Sequence, residues 1–335
     1  MPMSGAAMRR REFIQLLGGG VAGWMATHSS AISQQVVKIP RVGVLVSASP
    51  PHPFADALRQ GLRLLGYEEG RNITLDIQYT DGRSDRASEL AVELARSRVE
   101  VIVAHFTPAV RAAMAATKTI PIVMAPAGAP LQSGFIKSLS EPGGNVTGLS
   151  AMDAEIGGKR IQLLRELIPN LTCVGVLATT PTTDPYSRPF VADIESAAGN
   201  AGLRVESVSI GGPSEFNEAF SVMAKAGAQA VIVQGFFEPH TKSLLALAAK
   251  NRLAYMSTGR TAVTQGGLVS ISANYPLLYG RAAFYVDKII NGANPTNLPV
   301  EQPSKFEVVV NNKTARVLGL TISPTLLAQI DEIIE

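Results

Sequence analysis

The sequence predicts an α/β protein of two Rossmann-like lobes, each a parallel sheet with helices on both faces, joined by a multi-strand hinge. Three observations predict it. Short apolar runs rich in β-branched residues alternate with amphipathic helical patterns, and such alternation builds parallel sheets covered on both sides. The design occurs twice: Val42-Gly43-Val44-Leu45 returns as Val174-Gly175-Val176-Leu177, Leu65-Gly66 as Ala201-Gly202, and Val101-Ile102-Val103 as Val231-Ile232-Val233, each about 130 residues later. The chain has 335 residues, enough for two domains, and the stretch after residue 273 is too short for a third.

The first strand is expected at 41–47, followed by the breaks Pro50, Pro51 and Pro53. A helix over 54–65 places Leu58, Leu62 and Leu65 on one face, and Gly66 ends it. Residues 73–79 alternate as a strand, and Ser84 caps a helix ending near Arg98. Residues 101–104 read as a buried strand, Thr107-Pro108 as N-cap and first turn of a helix, and 120–124 as a strand. The small-residue loop 125–132 leads to a short helix over 133–139. Glu141-Pro142-Gly143-Gly144 breaks the chain before a fifth strand at 145–149. Asp153 caps a helix to about residue 168, and the design restarts with a strand at 174–177.

In the second half, Asp184-Pro185 precedes a helix to about residue 201, and Gly202 caps it. A strand at 203–209 is followed by a helix over 214–226 opened by Ser214 and Asn217 in a capping-box-like pair. A strand at 230–233, a helix at 239–250 and strands at 254–256 and 268–272 complete the repeat. Then come a helix over 276–290, a polar proline-broken stretch at 291–299, a strand at 306–310, and helices at 313–318 and 324–334. These late pieces return to lobes already built. The first lobe is assigned 40–149 plus 274–300 and the second 150–273 plus 301–335, so several strands cross between them, as in a hinge that closes on a ligand.

Residues 1–33 read as an export leader. Arg9-Arg10-Arg11 is its positive end, residues 13–25 are apolar but too short to span a bilayer, and small residues near Ala31–Ser33 suit cleavage. Arg10-Arg11-Glu12-Phe13-Ile14 also resembles a twin-arginine signal. Gly18 to Gly23 formally matches a dinucleotide fingerprint, but it sits in the leader's apolar stretch and comes after no strand, so no nucleotide site is read there. The expected location is the periplasm, as a monomer that is not membrane-embedded.

Composition is that of a globular chain, 46% hydrophobic and 17% charged. Much of the formal net charge of +3 sits in the leader, which argues against a nucleic-acid partner. The single cysteine, Cys173, excludes an internal disulfide, lies far from the cleavage region, and reads as a buried small hydrophobe.

Catalytic patterns are missing. His52, His105 and His240 lie in separate units without metal-ligand spacing, and there is no nucleophile elbow, phosphate loop or paired-carboxylate signature. No catalytic residue, metal or cofactor is therefore expected. The glycosylation-type triplets at Asn72, Asn145 and Asn170 read as chance behind a bacterial-type leader. The chain does offer small and polar loops at the carboxyl ends of its strands, where open parallel sheets bind ligands.

In the first half these loops are Ser47-Ala48-Ser49, His105-Phe106-Thr107 and residues 125–129. In the second they are 179–186, including Thr180 and Tyr186, then Gln234 to Phe237, Thr258-Gly259, and 272–275. Some of them run into helix N-termini, which favour an anionic group such as a carboxylate. Phe106, Tyr186, Phe236, Phe237 and Tyr275 offer faces for a flat ligand, although Phe236 and Phe237 equally suit the top of a core, and Thr107 equally suits a helix cap. His52 and His105 read as loop residues, and Arg260 as facing solvent.

Several segments carry a resemblance: Leu65-Gly66-Tyr67-Glu68-Glu69-Gly70-Arg71-Asn72-Ile73, Thr119-Ile120-Pro121-Ile122-Val123, Glu141-Pro142-Gly143-Gly144-Asn145-Val146-Thr147-Gly148 and Lys159-Arg160-Ile161-Gln162-Leu163-Leu164, together with the Arg10-Arg11 signal. In this order they resemble the ABC-transporter substrate-binding protein family that includes tryptophan- and tyrosine-binding members. The resemblance implies a type I periplasmic binding fold with three crossover strands, no enzymatic activity, a small-molecule ligand, and an ABC permease with its ATPase as partners. Carried over by position, Ser47, Thr107, Ala127 and Gly128 would serve from the first lobe, and Thr180, Tyr186, Gln234 and Asn274 from the second lobe or the hinge. Ser49, Phe106, Phe236 and Tyr275 join them as loop residues and rings. The chain departs from the family at Ala125-Pro126-Ala127, where many members carry a polar residue with Asp-Pro, and at Gln234-Gly235-Phe236-Phe237, where amino-acid binders often have Asp or Asn. The expected ligand is a small carboxylate, aromatic or amino-acid-like. An exported enzyme using the same cleft, or a sensor feeding a membrane receptor, are the alternatives.

Overall fold

The computed structural model describes residues 39–335; the leader assigned to residues 1–33 lies outside them. Two sheets form. The first contains β1 (Arg41–Val46), β2 (Thr74–Tyr79), β3 (Val101–His105), β4 (Ile122–Ala127) and β5 (Val146–Ser150) in the order β2-β1-β3-β4-β5, all parallel. The second contains β6 (Cys173–Thr179), β7 (Arg204–Ile210), β8 (Ala230–Val233), β9 (Ala254–Ser257), β10 (Val269–Ala273), β11 (Phe306–Asn311) and β12 (Glu332–Ile334) in the order β12-β11-β10-β9-β8-β6-β7. It is parallel except where β11 runs against β10.

Burial on both faces explains the apolar runs. Val42, Val44 and Val46 enter one cluster while Leu45, pointing the other way, enters another. In the second sheet Val174, Val176 and Ala178 face one cluster and Leu177 its opposite. Cys173 is a buried free thiol at the start of β6.

The helices are α1 (Pro53–Leu64), α2 (Ser84–Arg96), α3 (Phe106–Ala116), α4 (Gly157–Leu167), α5 (Ser187–Asn200), α6 (Phe216–Lys225), α7 (Thr241–Lys250), α8 (Arg260–Thr264), α9 (Tyr275–Ile290), α10 (Asn312–Val317) and α11 (Pro324–Leu327). None among the described residues is long and apolar enough to cross a membrane. Helix α9 comes after β10 of the second sheet but packs on the first lobe. A Cβ added at Gly61 of α1 would stand 2.3 Å from the Gly280 carbonyl oxygen of α9, so the two helices approach through backbone. Tyr67 also donates its hydroxyl to Asp287 Oδ1 at 3.0 Å.

Three segments cross between the sheets: 151–156, the β10–α9 junction, and the strand-like stretch before β11. Two of them lie side by side, with Ser150 N donating to Glu301 O at 2.9 Å and Glu301 N to Gly148 O at 3.0 Å. The third joins them through the Ala273–Phe306 pairing of β10 with β11. This is the multi-strand hinge.

Several local expectations are corrected. Residues 133–139 form turns rather than a helix, with Gly134 at φ 72° interrupting the run. Thr107 lies inside α3, whose N-cap is His105. Ser84 is the first residue of α2 and Arg83 its N-cap, without a side-chain bond. Asp153 does not cap α4; Ile156 holds that place, and Asp193 Oδ2 accepts from Gly157 N. Ser214 lies in a 3-10 turn before α6, and no side chain caps that helix. A 3-10 turn over Gly235–His240 precedes α7, so the α-helix starts at Thr241 rather than near Pro239. The last helix stops at Leu327, because Asp331 accepts from Val308 N and turns the chain into β12 along β11.

Candidate functional site

The carboxyl ends of β1, β3 and β4 place Ser47, Phe106 and Ala127 side by side, since Val46 is level with His105 across β1 and β3. Ser47 is half-buried, and its Oγ has no partner. Ser49, two residues on, is exposed. Phe106 turns from strand to helix with φ 65°, a left-handed conformation that costs a bulky residue ~1–3 kcal/mol. That corner brings its ring edge-to-face onto Tyr275, centroids 5.6 Å apart. Thr107 Oγ1 accepts from Gly128 N at 3.2 Å, which ties the start of α3 to the end of β4.

The second lobe answers with the loop after β6. Thr180 Oγ1 bonds the hydroxyls of Thr182 and Thr183, both at 3.0 Å. Asp184 Oδ1 accepts from Tyr186 N at 3.0 Å, and Oδ2 accepts from Gln234 Nε2 at 3.0 Å. Gln234 Oε1 in turn accepts from Thr179 N at 2.9 Å and Ser187 Oγ at 3.1 Å. Burial pushes the Asp184 carboxyl up to about 7, against the pull of the Tyr186 amide and Arg111. This network holds Tyr186 at the start of α5 with its ring on Phe190. The Tyr186 hydroxyl is buried without a partner, and burial holds it well above the usual phenol range, so it stays protonated.

The lobes touch here. A Cβ added at Gly128 would stand 2.6 Å from Tyr186 Cδ2, so only glycine lets the ring lie there. Arg111 of α3 donates from Nη1 to Thr182 O at 2.7 Å and from Nη2 to Thr183 O at 3.0 Å. Gln132 Nε2 reaches Glu155 Oε1 at 3.2 Å. In the hinge, Tyr275 donates its hydroxyl to Asp153 Oδ2 at 2.6 Å, and the fully buried Arg160 pairs with Asp153 Oδ1 at 3.4 Å. Burial raises the Asp153 carboxyl, while Arg160 and Tyr275 oppose that rise.

Two of the sequence-assigned residues serve the scaffold. Asn274 caps α9 by accepting from Leu277 N at 2.9 Å and donates to Glu307 Oε1 at 2.8 Å, so both ends of its amide are engaged. Phe236 lies edge-on to Phe237, centroids 5.3 Å apart, packed partly buried on the second lobe's core. Ser47, Phe106, Thr107, Ala127 and Gly128 gather on one side, Tyr186 and Gln234 on the other, and Tyr275 between. The sequence reading missed Arg111 and Arg160 as contacts and took Asp153 for a cap. It read His52 and His105 as loop residues, yet they form a ring cluster 4.8 Å apart, with His105 Nε2 3.1 Å from the Tyr279 hydroxyl and Nδ1 unpartnered. Burial lowers both imidazoles, His105 furthest with His52 adding to the effect, so both are neutral near pH 7. The one local signal for Asp184 was its place in a polar loop after a buried strand.

Comparison with known proteins agrees with the two-lobed fold. The family model for ABC transporter substrate binding proteins matches residues 41–334. A tyrosine-binding protein of Clostridioides difficile is 26% identical over 280 residues, covering 82% of this chain and 80% of its own length. A Streptococcus pneumoniae ABC domain in complex with L-Trp superposes with a TM-score of 0.83 at 25% identity, covering 88% of this chain and 99% of its own. A conserved domain protein of Vibrio cholerae gives a TM-score of 0.81 at 25% identity, covering 88% of this chain and 100% of its own.

Proposed function

Because this chain belongs to the ABC transporter substrate-binding protein family, we propose that it is the periplasmic solute receptor of an ABC importer. It binds one small carboxylate-bearing ligand, aromatic or amino-acid-like in size, between its lobes and delivers it to a permease driven by an ATPase. The observation that carries this reading is the meeting of the lobes at Gly128 and Tyr186, where Gly128 is tied to Thr107 and the neighbouring Phe106 ring abuts Tyr275, with the unpartnered Ser47 hydroxyl at the carboxyl end of β1. Relatives that bind tyrosine or hold L-Trp support the size of the ligand. The moving bodies are 40–149 with 274–300 and 150–273 with 301–335, hinged at the three crossing segments. The leader exports the chain, which works as a monomer and turns nothing over.

Ligand-contacting roles fall to Ser47, Phe106, Thr107, Ala127 and Gly128 on one side and Tyr186 and Tyr275 on the other, with Thr180 and Gln234 holding the second wall. Native mass spectrometry of the protein taken from its own periplasm tests this. The expected result is one bound molecule per chain, released unchanged. Added back at 100 times its Kd, that molecule stabilises the fold by about 2.7 kcal/mol. Chemical turnover of the bound molecule would replace the receptor by an enzyme.

A further inference from the structure

The ligand's charge pattern is written in which polar groups near the aromatic rings are already taken. Three carboxylates lie around Tyr186: Asp153, Glu155 and Asp184, all of which act on its phenol. The two buried ones are committed to the protein on both oxygens. Asp153 takes the Tyr275 hydroxyl on one oxygen and Arg160 on the other. Asp184 takes the Tyr186 amide and the Gln234 side chain. Glu155 is exposed and accepts from Gln132 across the lobes.

Gln234 offers no acceptor in their place. Its carbonyl oxygen already receives two donors, and its amide nitrogen is turned on Asp184. An ammonium brought here would lose its water and find both buried carboxylates already bonded, with only the exposed Glu155 left with an oxygen outside the protein's own bonds, which is a costly way to bury a charge. Among the groups without partners are two hydroxyls of the candidate site. Ser47 Oγ and the Tyr186 hydroxyl are buried atoms able to donate, and Tyr186 as a residue is 93% buried, being 7% exposed. Unpaired hydroxyl donors suit an oxygen acceptor.

We propose that this receptor selects aromatic carboxylates that lack an α-amino group, such as arylpropanoates and aryl 2-oxo acids, over the corresponding amino acids. The proposal rests on the receptor function proposed for the chain and narrows its ligand class. Phe106, Tyr186 and Tyr275 supply the ring faces, Ser47 and Tyr186 the donors, and Gln234 enforces the selection by occupying Asp184.

Calorimetric titration of the purified protein at pH 7 with matched pairs tests it: L-phenylalanine against 3-phenylpropanoate and phenylpyruvate, and L-tryptophan against 3-indolepropanoate, with 2-phenylethylamine as the amine alone. The expected result is at least tenfold tighter binding of the acid without the amine, about 1.4 kcal/mol, and none of 2-phenylethylamine. Equal or tighter binding of the amino acid, or measurable binding of the amine, overturns the proposal. Binding of none of these overturns it too. A wider panel of sugars, amides and aliphatic acids then decides the receptor reading separately: one ligand in that panel keeps the reading, and silence across it removes both.

Discussion

Asp184 concentrates the chemistry of the second wall at one residue. Its two bonds draw Tyr186 N and Gln234 Nε2 together, and its carboxyl titrates near 7 because it is buried. An unfolded aspartate titrates near 3.9, so the folded state holds its proton over a pH range where the unfolded state has released it. The contribution to stability is then full below about pH 4 and is lost as pH rises through about 7. The gap between the folded and unfolded values corresponds to ~4 kcal/mol at most. Urea denaturation at pH 4, 5, 6, 7 and 8 checks this. The wild type should lose stability steadily across the series, and Asp184→Asn should lose less, even though the asparagine faces Gln234 Nε2 with a donor and starts from a weaker fold. Equal slopes for the two proteins would mean that Asp184 is not the titrating group.

At the scale of elements, the first lobe depends on a helix that its own half of the sequence does not supply. Helix α9 is reached from β10, and it packs on α1 through Gly61 and Gly280. Gly61→Ala drives a methyl to 2.3 Å from a backbone oxygen, which no rotamer change relieves. Overpacking of this kind costs about 1–3 kcal/mol, and the denaturation midpoint should fall with the slope unchanged. Gly158→Ala, inside α4 with nothing within 4 Å of the added carbon, is the matched control and should hold or raise its midpoint. The same contact marks what the sequence made legible. The strands β1, β3, β6 and β8 were readable because burial on both faces demands unbroken Val, Ile and Leu runs. Strand β12 and helix α8 were not, since three and five residues carry too little periodicity to separate them from their surroundings. Thr107 and Asp153 suited caps locally and were claimed instead by distant partners, Gly128 and Tyr275.

At the scale of the molecule, the repeat landmarks made two sheets readable, and loop position made most of the candidate wall readable. The contacts that join the walls were not, because Arg111 and Thr182 are 71 residues apart and no local pattern reports on such a pair. Those contacts are also where closure can be tested without unfolding either lobe. Gly128→Ala places a carbon 2.6 Å from Tyr186 Cδ2, a clash between a residue of the first sheet and one that comes after the second sheet's β6. Arg111→Ala removes two bonds made across the lobes, at a half-buried site where they contribute ~1 kcal/mol after solvent screening. Both changes disfavour the closed form, and apparent affinity falls with the fraction of molecules able to close. Gly128→Ala should weaken binding of the co-purified ligand by roughly 5- to 150-fold, and Arg111→Ala by roughly fivefold. In small-angle X-ray scattering, saturating ligand should shrink the wild type and leave Gly128→Ala expanded. Adding Tyr186→Leu to Gly128→Ala removes the struck ring and should restore the compact form, although the lost hydroxyl keeps affinity low. If Gly128→Ala instead closed and bound as the wild type does, the Gly128–Tyr186 contact would not belong to the closing motion, and the ring would be a fixed part of one wall.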